Sequence, residues 1–97
     1  HTGDGIAYEP STNESAVING LSLTNGDALN PAIVTIDIGG VVLYQSASIP
    51  SFQSVTVLGL NTDSFTIVDG QQLNITVSGA TPSDVAVDLV GFLTVQG

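Results

Sequence analysis

The chain has 97 residues, no lysine, no arginine and nine acidic side chains, for a formal net charge of −9. Displacing counterions from nucleic acid or docking on an anionic membrane requires cations, so both partner classes are close to excluded, and no arginine is present to clamp a phosphate or carboxylate substrate. Cysteine, methionine and tryptophan are missing as well, which removes disulfides, thiolate nucleophiles and cysteine-ligated zinc or iron–sulfur sites.

Charged residues make up only 9% of the chain against 42% hydrophobic, a balance that separates it from disordered acidic tails. The length predicts a single domain over residues 1–97, burying ~60–65% of its unfolded surface. No apolar run approaches the ~20 residues of a membrane span, and the opening HTGDG lacks the basic and apolar regions of a signal peptide. The chain is therefore expected to be soluble. Its start at His1 fits removal of an initiator methionine, a leader or a longer precursor segment.

Gly5 to Glu9 predicts a short first strand closed by the turn cluster Pro10 to Asn13, with residues 1–9 readable as an extended arm. From Glu14 to Thr24, alternation places Val17, Leu21 and Leu23 on one face and Ser22 and Thr24 on the other; Gly20 suggests a bulge or a close backbone approach. Asn25-Gly26-Asp27 is a turn, and Asn30-Pro31 leads into the next strands. Pro31 to Leu60 reads as a meander of three strands. In it, Ala32 to Ile38 folds back on Val41 to Ala47 through Gly39-Gly40, whose freedom at positive φ suits a two-residue hairpin. Ile49-Pro50-Ser51 opens a corner, and Phe52 to Leu58 begins the third strand. Asp37 is expected on the solvent side, because no cation is available to pair a buried carboxylate.

Beyond the polar loop Asn61 to Ser64, Phe65 and Ile67 form a short strand and Asp69-Gly70 turns the chain. Leu73, Ile75 and Val77 keep a period of two, Gly79 to Ser83 is a corner, and Asp84 to Val95 is a long last strand. Val85, Val87, Leu89, Gly91, Leu93 and Val95 share one of its sides. No stretch carries a helical period. About eight strands with turns every ~8–12 residues predict an all-β, antiparallel, jelly-roll-like β-sandwich with Val34, Ile36, Leu43, Leu73, Ile75, Val87 and Leu89 in its core.

The order of these motifs resembles small β-sandwich structural proteins of tailed phages. The resemblance is carried by Tyr8-Glu9-Pro10, Val17 to Asn25, Val34 to Leu43, Ile49-Pro50, Val55 to Leu58, Asp69-Gly70-Gln71-Gln72-Leu73 and the closing strand near Val90-Gly91. It implies a non-enzymatic virion protein, a capsid decoration (cement) protein or a head-fibre or tail-fibre module, acting as an oligomer on the capsid surface in contact with a major capsid or other virion protein. By analogy the oligomer is a trimer. A subunit of a secreted extracellular filament or adhesin, assembled by strand addition of the arm through Glu9, is the alternative.

Candidate chemistry is sparse. His1 is the only histidine and stands at the chain end, so no serine or threonine has a base to activate it. Asp84 and Asp88, four apart on a strand, would lie about 13 Å from each other, too far for paired acid–base work at roughly 5–9.5 Å. Asp63 with Asp69 is the other near pair, and solvated surface charge is the better reading of both. No cofactor is expected, calcium being the least implausible through the oxygen-rich loop residues Asn25, Asp27, Asn61, Asp63 and Asp69, although no D-x-D-x-D-G loop is present. Asn13-Glu14-Ser15 and Asn74-Ile75-Thr76 fit the glycosylation sequon. Both faces of Val41-Val42-Leu43-Tyr44 and of Leu89 to Leu93 carry apolar groups. Val42, Tyr44, Val90 and Phe92 are therefore the candidate oligomer-interface residues.

Overall fold

Branched and aromatic side chains alternating with small polar ones favour extended backbone, and glycine, proline and asparagine clusters end each run. In the computed structural model, which describes residues 1–58 and 64–95, this produces β1 (Gly5–Tyr8), β2 (Glu14–Asn25), β3 (Ile33–Ile38), β4 (Val41–Gln45), β5 (Ser54–Leu58), β6 (Phe65–Ile67), β7 (Leu73–Ser78) and β8 (Val85–Val95). A 3-10 turn at Pro82–Asp84 is the one helical element among the described residues.

The strands form two antiparallel sheets. One has the order β1-β7-β3-β4. The other is built on β2: β8 runs along one of its edges from Glu14 to Asn25, while β6 (at Ala16 to Ile18) and β5 (at Leu21 to Thr24) share the opposite edge. The protein is an all-β antiparallel sandwich of eight strands; nothing in this strand order singles out a jelly roll. The facing sides meet through residues such as Leu21, Leu23, Val34, Ile36, Ile75 and Val87, each at most 2% exposed.

The Gly39-Gly40 hairpin forms as expected, with φ of 58° and 90° and Ile38 paired to Val41. Asp37 lies on the outer side of β3, where its carboxylate accepts from the Gly40 N–H at 3.0 Å and from Asn74 Nδ2 at 3.2 Å.

Three expectations are corrected. The run Pro31 to Leu60 is not a meander, because β5 leaves the β3–β4 hairpin and joins β2 in the other sheet. Ile49 and Ala32 exchange backbone hydrogen bonds of 2.7 and 2.9 Å, the last rung of the hairpin. Past Pro50 the chain turns through Phe52, at φ 60°, and the Phe52 N–H donates to the Asn25 carbonyl at 2.7 Å. Proline cannot extend the ladder, so the corner switches sheets.

Leu43 is 45% exposed rather than in the core. The β3–β4 register slips between Ile36 and Asp37, so Leu43 is the extra residue of a bulge, and Tyr44 takes the place opposite Ile36. Leu89 is half-buried, while Val34, Ile36, Leu73, Ile75 and Val87 are buried as expected.

Val17 does not share a face with Leu21 and Leu23. A second bulge, at Asn19 beside Gly20, inverts the alternation along β2, so Ala16 and Ile18 point inward before it and Leu21, Leu23 and Asn25 after it. Gly91 pairs with Ile18 beside this bulge, and a Cβ there would overlap the Val17 carbonyl oxygen. Only glycine lets β2 and β8 approach so closely.

Residues 1–9 lie along the chain's own sheets. Thr2 bridges Ala86 of β8, and β1 pairs with β7. Asp4 Oδ1 accepts from the Val77 N–H at 2.6 Å between the two.

Candidate functional site

The polar groups with the most organised surroundings are Asn25 and Asp27, 0% and 4% exposed at the turn after β2. Asp27 Oδ1 accepts from the Leu29 and Asn30 N–H groups at 2.8 and 3.0 Å, and Oδ2 accepts from the Thr81 N–H at 2.9 Å. Asn25 Oδ1 accepts from the Asp27 N–H at 2.9 Å, and its Nδ2 donates to the carbonyls of Ile49 and Asn30 at 2.9 and 3.0 Å. The backbone donors of Thr81 and Leu29 lower the Asp27 pKa to about 2 despite its burial. With every oxygen engaged by the chain's own amides, the pair ties the loops after β2, β4 and β7 to one another.

That arrangement bears on the calcium expectation. Asp69 is exposed and accepts from the Asn13 N–H at 3.0 Å, at the opposite end of the sandwich from Asp27, while Asn61 and Asp63 lie outside the described residues. Among the described residues no three acidic or histidine side chains cluster as metal ligands.

The carboxylates expected on one strand are separated by local structure. Asp84 closes the 3-10 turn, and only Asp88 lies on β8; both are exposed. His1 places Nε2 2.9 Å from the Gly3 carbonyl oxygen. Tyr8 donates to Glu14 Oε1 at 3.2 Å, and partial burial followed by the Glu14 charge holds its phenol above the ordinary value. It stays protonated at neutral pH. The buried hydroxyl Ser46 Oγ accepts from the Val34 N–H at 2.8 Å, a structural role in the β3–β4 hairpin. For the sequons, Asn74 is half-buried and bonded to Asp37, whereas Asn13 sits exposed in a turn at φ 62°.

Exposed apolar side chains gather on two strands, β4 (Val41, Val42 and Leu43) and β8. Val90 (60% exposed) stands over Gly20, and Phe92 (55%) stands opposite Val17, both on the outer face of the β2 sheet. Leu93 (55%) is on the inner face opposite Ala16; Ala16 and Ile67 beyond it are buried, so it is the β8 margin of this face that stays open. An open, apolar groove of about 230 Å³ runs there between Tyr8, Ile18, Leu89 and Leu93. The sequence pattern pairs Val90 with Phe92, and the structure brings them to one face. It does not do so for Val42 and Tyr44: Val42 (59%) is on the outer face of β4, and Tyr44 turns inward, half-buried against the core. Leu93 was missed, because its period-two pattern is that of a core residue and only the reach of the facing sheet exposes it. A second groove, of about 310 Å³, opens between β4 and β6 at Ile36, Tyr44 and Phe65.

Fold and surface together define an antiparallel β-sandwich whose long rim strand, β8, carries an uncharged, apolar run from Leu89 to Thr94. No family model, curated protein or solved structure matches the chain.

Proposed function

We propose that this chain is a non-enzymatic structural protein of a virus particle, a capsid decoration (cement) protein or head-fibre module located on the capsid surface. It binds a major capsid or other virion protein and copies of itself, and neither nucleic acid nor membrane is a partner. The observation that carries this reading is the stretch Leu89 to Thr94 of β8, which holds no charge in a chain of net charge −9 and leaves Val90, Phe92 and Leu93 more than half exposed. Apolar strand surface of this kind in a small domain marks contact with other protein. The phage-protein resemblance supplies the particle, and three-fold symmetry comes by analogy alone. Immunogold labelling of particles from the source, with antibody raised against the chain, tests the proposal. Label on capsids is the expected result, and label confined to cell-surface filaments overturns it.

The filament alternative has one observation behind it. The four-residue β1, between the positive-φ Gly3 and Gly5 and the turn at Pro10, is an edge strand on β7, a geometry that a swapped arm would retain between subunits.

A further inference from the structure

From the edge of β8 beyond Val87, which no strand among the described residues pairs, we infer that the protein self-associates about a two-fold axis at Gly91, with β8 of one copy pairing antiparallel to β8 of the other. The inference rests on reading the chain as an assembling structural protein, and it names the strand and the register through which it assembles. A two-fold unit then replaces the three-fold one expected by analogy.

The edge is defined by its hydrogen bonds. β2 covers one side of β8 throughout. On the other side the Val87 N–H donates to the His1 carbonyl at 2.8 Å, and the Gly3 N–H donates to the Val85 carbonyl at 3.0 Å. Val85 and Val87 therefore turn their backbone groups away from β2. The bulge lies on β2, not on β8, so the alternation continues and Leu89, Gly91 and Leu93 turn theirs the same way. The arm covers the edge as far as Val87 and no described strand pairs beyond it. Natural edges of this kind are blunted by lysine, proline, a bulge or an inward charge. Leu89 to Thr94, Leu-Val-Gly-Phe-Leu-Thr, has none of them.

The occupant follows from charge and register. The chain has no lysine or arginine to hold an acidic segment, so an uncharged segment suits this edge, and Leu89 to Thr94 of β8 is itself one. With the axis at Gly91, residues i and 182−i oppose each other. Gly91 meets its own copy, Leu89 meets Leu93 and Leu93 meets Leu89, each as a hydrogen-bonded pair, so about six main-chain bonds form. Between them Val90 meets Phe92 on the outer face, and Asp88 meets Thr94. Every apolar side chain faces an apolar one, and the two Asp88 carboxylates stand about 20 Å apart along the ladder, beyond the ~8 Å screening length at physiological salt. At either end the His1 contact with Val87 stops the ladder. The two β2 sheets become one continuous sheet, and Leu93 gains a cross-strand apolar neighbour.

The test uses the full chain, its proline and cysteine variants, and light scattering from about micromolar to about millimolar protein, where a short ladder of this kind associates. A dimer is expected, favoured by salt. Leu93→Pro removes an N–H that points away from β2 and should return the chain to monomer with its β-rich circular dichroism intact. Because the chain has no cysteine, register is read directly. In the non-hydrogen-bonded pair, Cα atoms are about 4.5 Å apart, within disulfide reach. Val90→Cys mixed with Phe92→Cys therefore cross-links under mild oxidation. Either variant alone does not, its own copies being about 8 Å apart. If Leu93→Pro fails to fold, the cysteine pair still decides, since both positions are exposed. A monomer at all concentrations, an oligomer that survives Leu93→Pro, or cross-linking of a single variant with itself each overturns the inference. Capsid labelling is read separately, so a monomer found on particles defeats the pairing and not the virion assignment, while a cross-linked dimer absent from particles does the reverse.

Discussion

Leu23→Ala and Leu93→Ala delete the same atoms from the same inner face of the same sheet, yet they should cost very different amounts. Leu23 is 0% exposed, flanked by Val55 and Val87 on the neighbouring strands, whereas Leu93 is 55% exposed opposite Ala16. Truncating a buried leucine to alanine removes three carbons at about 0.8 kcal/mol each. The cavity left behind raises the total to about 2.7–5 kcal/mol. For a domain of this size each kcal/mol shifts the melting temperature by about 4–8 °C, so Leu23→Ala should melt at least about 10 °C lower. Leu93→Ala loses only the covered part of its side chain, about 1 kcal/mol or less. Urea and thermal unfolding followed by circular dichroism, at protein concentrations low enough to keep the chain monomeric, compare the two. Equal losses would refute the claim that the inner face of β8 is uncovered at Leu93. A negligible loss for Leu23→Ala would refute packing of the two sheets through β2.

Asp27, held near a pKa of about 2 against an ordinary 3.8, binds fewer protons folded than unfolded in that interval. Its stabilising contribution is thus complete above ~pH 4 and is lost as pH falls through about 2; Asp27→Asn should lower stability at pH 7 and flatten that segment of the melting-temperature profile. Ser46→Ala strands the buried Val34 N–H now bonded at 2.8 Å and should cost about 1–3 kcal/mol in urea unfolding. Phe52, 68% exposed and at φ 60°, sits where non-glycine residues other than asparagine are strained; Phe52→Asn should raise the melting temperature, by about 0.5–1 kcal/mol of added stability. Raising salt from about 0.01 M to about 0.15 M shortens the screening length from ~30 to ~8 Å, so the melting temperature of this strongly acidic chain, which has no lysine or arginine, should rise with it.

The strands themselves are legible in the sequence, because alternation with period two, the Gly39-Gly40 hairpin and the Ile49-Pro50 corner are local signals that act over a few residues. Gly20 even announces its bulge. Which face each side chain takes after a bulge is not legible, since one extra residue at Asn19 or Leu43 inverts the alternation without altering the composition of the run. The partner of β5 is non-local too: Phe52 to Leu58 could continue a meander or cross over, and the contacts of Ile49 with Ala32 and of Phe52 with Asn25 decide. Asn25 and Asp27 look like ordinary turn residues until three loops converge on them. For the candidate site, the exposed pair Val90 and Phe92 is readable from the two-sided apolarity of β8, whereas Leu93 carries a core pattern along its whole strand. Burial depends on how far the opposite sheet extends over it, and that is a property of two strands distant in sequence, settled only when the sandwich closes.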